Sequence, residues 1–204
     1  MNHLAHLYLA DDSPEARIGN LLGDFVKGVV GNQYPAEIKQ GIILHRKTDA
    51  FTDSHFRTKS SRNLIRAPRR RFAGIIVDVC YDHFLSRHWS RYSRIELPEF
   101  ASRVYDVLLE HREILPEKLR YMLPRLIKEN WLSAWQNLSG VEKTLNRISA
   151  RLKRRNQLVG AMEEIERNYT RLEADFLAFF PDLVVYARSY NAQLKAAFSA
   201  AKEP

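Results

Sequence analysis

The chain has 204 residues, of which 45% are hydrophobic, and a formal net charge of +8 at pH 7. This length fits one domain with a buried core, and the hydrophobic fraction excludes a disordered chain. No apolar run reaches the roughly 20 residues of a membrane-spanning helix, and no secretory signal is recognisable. The single cysteine, Cys80, favours a reducing compartment. We therefore predict a cytoplasmic protein without membrane attachment, whose positive charge favours an acidic partner.

Apolar residues recur with helical spacing along most of the chain, and glycine and proline are sparse, at 8 each. The pattern predicts helices at 15–30, 35–51, 69–89, 98–111, 117–135, 140–162, 163–180 and 182–200, with a short helix within 54–68. Pro124 and Pro181 are expected to break helices. The β-branched run at 72–77 also fits a strand, but helical spacing continues through Trp89. With no repeat or linker, the prediction is one all-α domain, a helical bundle over 1–204.

The first unusual segment contains Asn20 and Asp24, which lie four residues apart and share a helix face. Gly19 and Gly23 lie beside them. Because glycine weakens a helix by about 1 kcal/mol relative to alanine, the pair indicates close approach of another helix or of a ligand. The alternative is a tight helix crossing with a solvated Asp24.

Two later helices carry further ionisable groups. His45 and Asp49 are spaced i and i+4, which suits two ligands of a divalent metal or, alternatively, a surface ion pair. Asp78 lies within the most apolar stretch of the chain, followed one turn later by Asp82 and His83. A carboxylate there is expected to be buried, in a metal or catalytic role or as a structural aspartate held by an arginine or tyrosine.

Together these residues predict one metal centre enclosed by helices within residues 1–90, with supporting helices at 98–200. A carboxylate-rich centre with one or two histidines suits Mn²⁺ or Mg²⁺ better than a structural zinc site, which favours cysteine. His6, between two leucines, is either a core residue or a further member of the site. A basic segment leads into the helix of Asp78 and is predicted to receive an anionic macromolecule; it comprises Arg62, Arg66, Arg69, Arg70 and Arg71. A second basic run spans 151–155.

At these positions the chain resembles a known family. The resemblance rests on Met-Asn-x-Leu-Ala-His-Leu at the N-terminus, Gly-Asn-Leu-Leu-Gly-Asp-Phe-Val at 19–26, the stretch from His45 to Asp53, and Asp-His-Phe-Leu-Ser-Arg-His-Trp at 82–89. It is to the acyl-carrier-protein phosphodiesterases, a divergent branch of the HD-domain metal-dependent phosphohydrolases. Position 3 departs from that pattern, because His3 stands where the family usually has an apolar aromatic residue.

The resemblance implies an HD-domain-like fold and hydrolysis of 4′-phosphopantetheine from holo-acyl carrier protein, an acidic protein, supported by Mn²⁺ or another divalent metal. It implies Asp24, His45, Asp49 and Asp78 as metal ligands, Asp82, His83 and His6 as catalytic residues, and Asn20 with the basic segment as substrate-binding residues. The alternative is a related phosphohydrolase acting on a nucleotide or another small phosphodiester. A basic nucleic-acid-binding protein is disfavoured, because no recognised binding motif is present and Asp24 and Asp78 would have no role.

Overall fold

The structure of the protein, a computed structural model, describes residues 1–152 and 156–200. These residues form nine α-helices and no strand, which confirms the predicted all-α fold. The helices are α1 (His3–Leu9), α2 (Pro14–Leu22), α3 (Ala36–Ser54), α4 (Phe56–Leu64), α5 (Ala73–Arg87), α6 (Leu97–Glu110), α7 (Glu117–Lys128), α8 (Leu138–Arg151) and α9 (Met162–Ala200). None of them is both long enough and apolar enough to cross a membrane.

Helix α2 begins as predicted but ends early. Ser13 caps it by accepting a hydrogen bond from the Ala16 amide at 3.2 Å, and Pro14 occupies the first turn. The helix ends at Leu22, whereas the sequence pattern extended it to residue 30. The carbonyls of Val26 and Gly28 accept hydrogen bonds from the Arg46 guanidinium instead, at 2.9 and 2.7 Å. The segment after α2 is therefore held against α3 by a side chain.

The two predicted proline breaks are wrong. Helix α7 continues through Pro124, and α9 runs for 39 residues through Pro181. Both prolines are exposed, while Leu123, Phe180 and Leu183 beside them are buried. Packing of these neighbours keeps the helices continuous despite the hydrogen bond that each proline removes. Helix α8 also ends earlier than predicted, at Arg151, and residues 153–155 of that predicted helix lie outside the described part of the chain.

The core brings the N-terminal helices together. Helix α9 packs against α3, α4 and α5, and α2 packs along α3. At the α2–α3 crossing, a Cβ built on Gly19 would lie 2.4 Å from the Ile38 carbonyl oxygen, and one on Gly41 would lie 2.7 Å from the Gly19 Cα. The close approach predicted from the glycines is therefore a helix crossing. It places the end of α2 beside the middle of α3.

Candidate metal centre

Three side chains from α1 and α3 converge on one point. The Nε2 atom of His6 lies 3.1 Å from Oδ1 of Asp49, and Nε2 of His45 lies 3.2 Å from Oδ2 of the same carboxylate. One ligand atom from each residue lies within 4.8 Å of the other two. The i, i+4 spacing on α3 puts His45 and Asp49 on one face, and α1 adds the second imidazole. These residues form a possible three-residue metal site.

Both imidazoles present Nε2 to the site because neighbouring groups engage Nδ1. His45 Nδ1 lies 2.7 Å from the Asn20 carbonyl, which is left without a helical partner at the end of α2 and accepts the N–H. His6 Nδ1 lies 3.4 Å from the Thr48 hydroxyl, which itself donates to the His45 carbonyl at 2.8 Å. Such outer hydrogen bonds fix the tautomer and ring orientation of metal-binding histidines.

Gly23 provides the space that His45 occupies. A Cβ built on Gly23 would lie 2.1 Å from Cγ of the imidazole and 2.3 Å from Cδ2. Any larger residue at this position would displace the ring. The glycine that the sequence analysis found unusual therefore makes room for a site residue.

Two more carboxylates stand next to these three residues. Asp24 lies in the turn after α2, with Oδ1 3.6 Å from His45 Nε2 and Oδ2 3.1 Å from His3 Nδ1. Asp78 of α5 has its Oδ1 3.4 Å from the Met1 amine, which is 3.5 Å from Asp49 Oδ1. That Asp78 oxygen is buried and accepts no hydrogen bond from the described residues. The structure thus gathers Asp24, Asp49 and Asp78 at one place.

The charges of these groups depend on one another. Burial lowers the pKa of His45, but hydrogen bonds to Asp24 and Asp49 raise it to about 9 overall. Burial and the neighbouring His45 lower the pKa of His6 to about 4, against the influence of Asp49. Burial raises the pKa of Asp24 and Asp49, but their histidine partners hold both pKa values well below the usual range. At neutral pH two ionised carboxylates therefore favour a positive charge at this place.

Asp82 and His83, predicted as catalytic, make contacts of a structural kind. Asp82 is fully buried and accepts hydrogen bonds from the amides of Asn2 and Leu4 at the start of α1, at 3.3 and 2.8 Å. The ring nitrogens of His83 lie 2.6 Å from the Trp135 carbonyl and 2.8 Å from the Tyr169 hydroxyl. These contacts support roles in positioning helices, and neither side chain contacts His6, His45 or Asp49.

The predicted substrate-binding residues lie elsewhere. The buried Asn20 side chain lines a cavity of about 480 Å³ between α2, α3 and α9, and its Oδ1 accepts no hydrogen bond from a described residue. In the basic segment, Arg62 pairs with Asp53, Arg66 with Glu164 at 3.0 Å, and Arg69 with Glu163 at 3.3 Å. Arg70 donates to the Ile65 carbonyl, and Arg71 lies over the Phe72 ring. Much of this positive charge is balanced within the molecule.

A cleft that the sequence analysis did not predict opens beside the site. His3, Asp24 and Asp78 line a cavity of about 320 Å³ together with Lys118 and Arg151. Its basic residues come from α7 and α8, far from the site in sequence, so local spacing carries no signal of them. His3 lies one helical turn before His6, and that spacing is the one available clue to its position.

Comparison with known proteins identifies a family to which the chain is similar. Residues 1–183 match the family model described as acyl carrier protein phosphodiesterase. A protein of that name from Serratia proteamaculans is 33% identical over 92% of this chain and 98% of its own length. Proteins of the same name from Enterobacter sp. and Yersinia pestis are 34% and 35% identical, over 93% and 92% of this chain and 98% of their own lengths. No solved structure matches the chain.

Proposed function

Since this chain belongs to the acyl carrier protein phosphodiesterase family, we propose that it hydrolyses the phosphodiester between 4′-phosphopantetheine and acyl carrier protein in the cytoplasm. The observation that carries the proposal is the convergence of His6, His45 and Asp49 beside a cleft lined by Asp24 and Asp78. Phosphodiester hydrolysis requires a cationic centre at the phosphate and an open space next to it. Donors that would hold a cation and an open cleft beside them support the proposal.

The donor set fits a hard or borderline divalent cation. Two imidazole nitrogens and a carboxylate are available, and the buried Asp78 Oδ1, which lies 3.4 Å from the Met1 amine, is a further donor. We assign Mn²⁺, with Mg²⁺ the alternative, because carboxylate donors suit these ions, and the lack of a thiolate among the donors disfavours a structural zinc site. A cation held by His6, His45 and Asp49 would supply Lewis acidity and neutralise charge that develops on the phosphoryl oxygens.

The side chains of this protein prepare the site for that reaction. Asn20 and Thr48 hold the two imidazole rings, so the donors need little rearrangement. Asp24 is ionised at neutral pH and borders the cleft, where its oxygens can orient a water molecule. Water adds to phosphorus and gives up one proton, the bond from phosphorus to the serine oxygen of the carrier protein breaks, and that oxygen takes up one proton, so the protons balance. His3, which pairs with Asp24 and lines the cleft, is the proposed donor of that proton.

The test uses holo-acyl carrier protein, Mn²⁺ and the purified protein, followed by intact mass spectrometry. The carrier protein should lose the mass of its phosphopantetheine group, and chelator or Asp49→Asn should prevent the loss. The rival function is hydrolysis of a nucleotide or another small phosphodiester, so a panel of these compounds is assayed in parallel. Intact holo-acyl carrier protein together with turnover of a small diester would replace the proposal by this rival.

A further inference from the structure

The cleft at the metal centre extends well beyond the carboxylates. The cavity of about 320 Å³ beside Asp24 and Asp78 adjoins a larger one of about 580 Å³ between α7 and α8. The two cavities are neighbours because six residues line both: Asn2, His3, Phe25, Met122, Ile148 and Arg151. Their sizes fall within the range of small-molecule sites. A ligand whose phosphate lies at the candidate metal centre could therefore extend into the larger cavity.

The wall of the larger cavity is mostly apolar, and its edge is basic. The apolar part includes Leu21, Phe25, Leu119, Leu126, Trp131 and Trp135. Lys143, Arg147 and Arg151 of α8 stand along it, with Arg147 paired to Glu129 at 2.7 Å. This combination suits a slender amphipathic ligand that carries an anionic end, and it suits the polar base and ribose of a nucleotide less well.

One polar group of the wall has no partner. Trp131 is 8% exposed and its indole N–H is buried without a hydrogen bond to any described residue. By contrast, the Trp135 indole donates to Thr144 Oγ1 at 3.1 Å. An unsatisfied buried donor is unfavourable, and a carbonyl oxygen of a bound ligand would satisfy it.

We propose that this cleft binds the pantetheine arm of the substrate, with the Trp131 indole donating to one of its amide carbonyls. The inference rests on the proposed function and adds where the phosphopantetheine product lies. The arm is narrow and carries methyl groups, two amides and a terminal sulfur, which match an apolar wall with isolated polar groups. The folded carrier protein is too large to enter and stays at the mouth, near Lys118 and Arg151.

The experiment measures binding of S-methylpantetheine by isothermal titration calorimetry. This probe lacks phosphate and a free thiol, so the metal centre contributes little to its binding. Ile148→Trp should fill the cleft and weaken binding at least about tenfold, and Trp131→Phe should weaken it about twofold to tenfold through loss of one hydrogen bond. Tyr121→Trp, on the 87% exposed outer face of α7, is the matched control and should bind like the original protein.

Circular dichroism and binding of Mn²⁺ show whether each variant is folded. The cleft assignment is overturned if the original protein does not bind the probe, or if neither Ile148→Trp nor Trp131→Phe weakens binding. Hydrolysis of holo-acyl carrier protein by the original protein is measured separately. If the original protein hydrolyses holo-acyl carrier protein but both variants bind the probe as well as it does, the cleft is not the binding site of the arm and the proposed function stands. If the original protein shows no hydrolysis, the proposed function itself is rejected.

Discussion

The two imidazole rings of the candidate metal centre stack on each other, with centroids 3.7 Å apart and planes 20° from parallel. Such proximity is unfavourable for two charged rings, and the carboxylate of Asp49 lies between their Nε2 atoms and compensates for it. Asp49 is therefore the residue on which both histidines depend. A change at this position affects both nitrogen donors as well as one oxygen donor.

Asp49→Asn should lower the affinity for Mn²⁺ by more than about 100-fold, because it removes the charge that a cation requires. The affinity is measured by calorimetric titration of the metal-free protein. Asp53→Asn is the matched control, since Asp53 lies one turn further along α3, is exposed and pairs with Arg62. Equal affinities of the two variants would show that Asp49 is not a ligand.

Asp82 makes stability depend on pH. Burial raises the pKa of the Asp82 carboxyl to about 7. The backbone amides at the start of α1, the Met1 amine and His3 lower this pKa, but burial outweighs them. The folded state therefore retains this proton when the unfolded state has lost it, so this group's contribution to stability falls as pH rises from about 4 to about 7. Relative to Asp82→Asn, the original protein should lose roughly 2 kcal/mol more free energy of unfolding between pH 5 and pH 8.

Urea denaturation at several pH values checks this expectation. Asp106→Asn, an exposed change on α6, serves as the control and should show a constant difference from the original protein. A difference between the original protein and Asp82→Asn that stays constant across pH would contradict the argument.

At the scale of elements, the α2–α3 crossing positions the end of α2 beside His45 and Asp49 of α3. Gly19→Ala would bring a methyl group 2.4 Å from the Ile38 carbonyl oxygen, and backbone atoms cannot move aside cheaply. We expect a loss of about 1–3 kcal/mol in free energy of unfolding, measured by urea denaturation. Gly74→Ala in α5 is the control, because its nearest neighbour is an Arg62 side chain at 3.8 Å. This control should be neutral or stabilising. Equal losses of stability in both variants would show that the close α2–α3 approach does not depend specifically on Gly19.

Local pattern predicted most helices but not their ends. Helical spacing and the prolines at their starts predicted the bounds of α3 and α6 to within three residues, because both are local signals. Pro181 was misinterpreted because its exposed ring leaves Phe180 and Leu183 packed in the core, and tertiary packing outweighs the local penalty. Helix α1 was not predicted, since Asp82, far along the chain, binds its first amides.

The same limit applies to the site. The spacing of His45 and Asp49 is local and was visible in the sequence. The partners of His83, the Trp135 carbonyl and the Tyr169 hydroxyl, lie 52 and 86 residues away, and no local period indicates them. The catalytic roles assigned to Asp82 and His83 and the docking role of the basic segment remain predictions.

At the scale of the whole molecule, the net charge does not indicate which basic side chains are free to attract a partner. The net charge is +8, yet Arg62, Arg66 and Arg69 pair with acidic side chains. Lys118 and Arg151 instead line the cleft and form no ion pair with a described residue. Charges at the mouth of the site are therefore the better placed to attract an acidic protein.

Replacing Lys118 and Arg151 together by alanine should raise KM for holo-acyl carrier protein roughly fivefold and flatten its salt dependence, because rim charges act mainly on association. Turnover at saturation should change less. The comparison variant replaces Arg69, Arg70 and Arg71 by alanine and tests the docking role predicted from the sequence. A larger rise in KM for this triple variant would move the docking surface to the basic segment.

The residues of the candidate metal centre come from α1, the turn after α2, α3 and α5, and His6 and Asp49 are 43 positions apart in sequence. A bound ion would therefore act as a cross-link between distant parts of the chain, and its binding free energy would add to the free energy of unfolding. At a free concentration about 1,000 times Kd, Mn²⁺ should stabilise the fold by about 4 kcal/mol. Chelator should lower the Tm of the original protein and leave that of Asp49→Asn unchanged, as scanning calorimetry would show. In such a protein, depletion of metal would limit the lifetime of the enzyme as well as its activity.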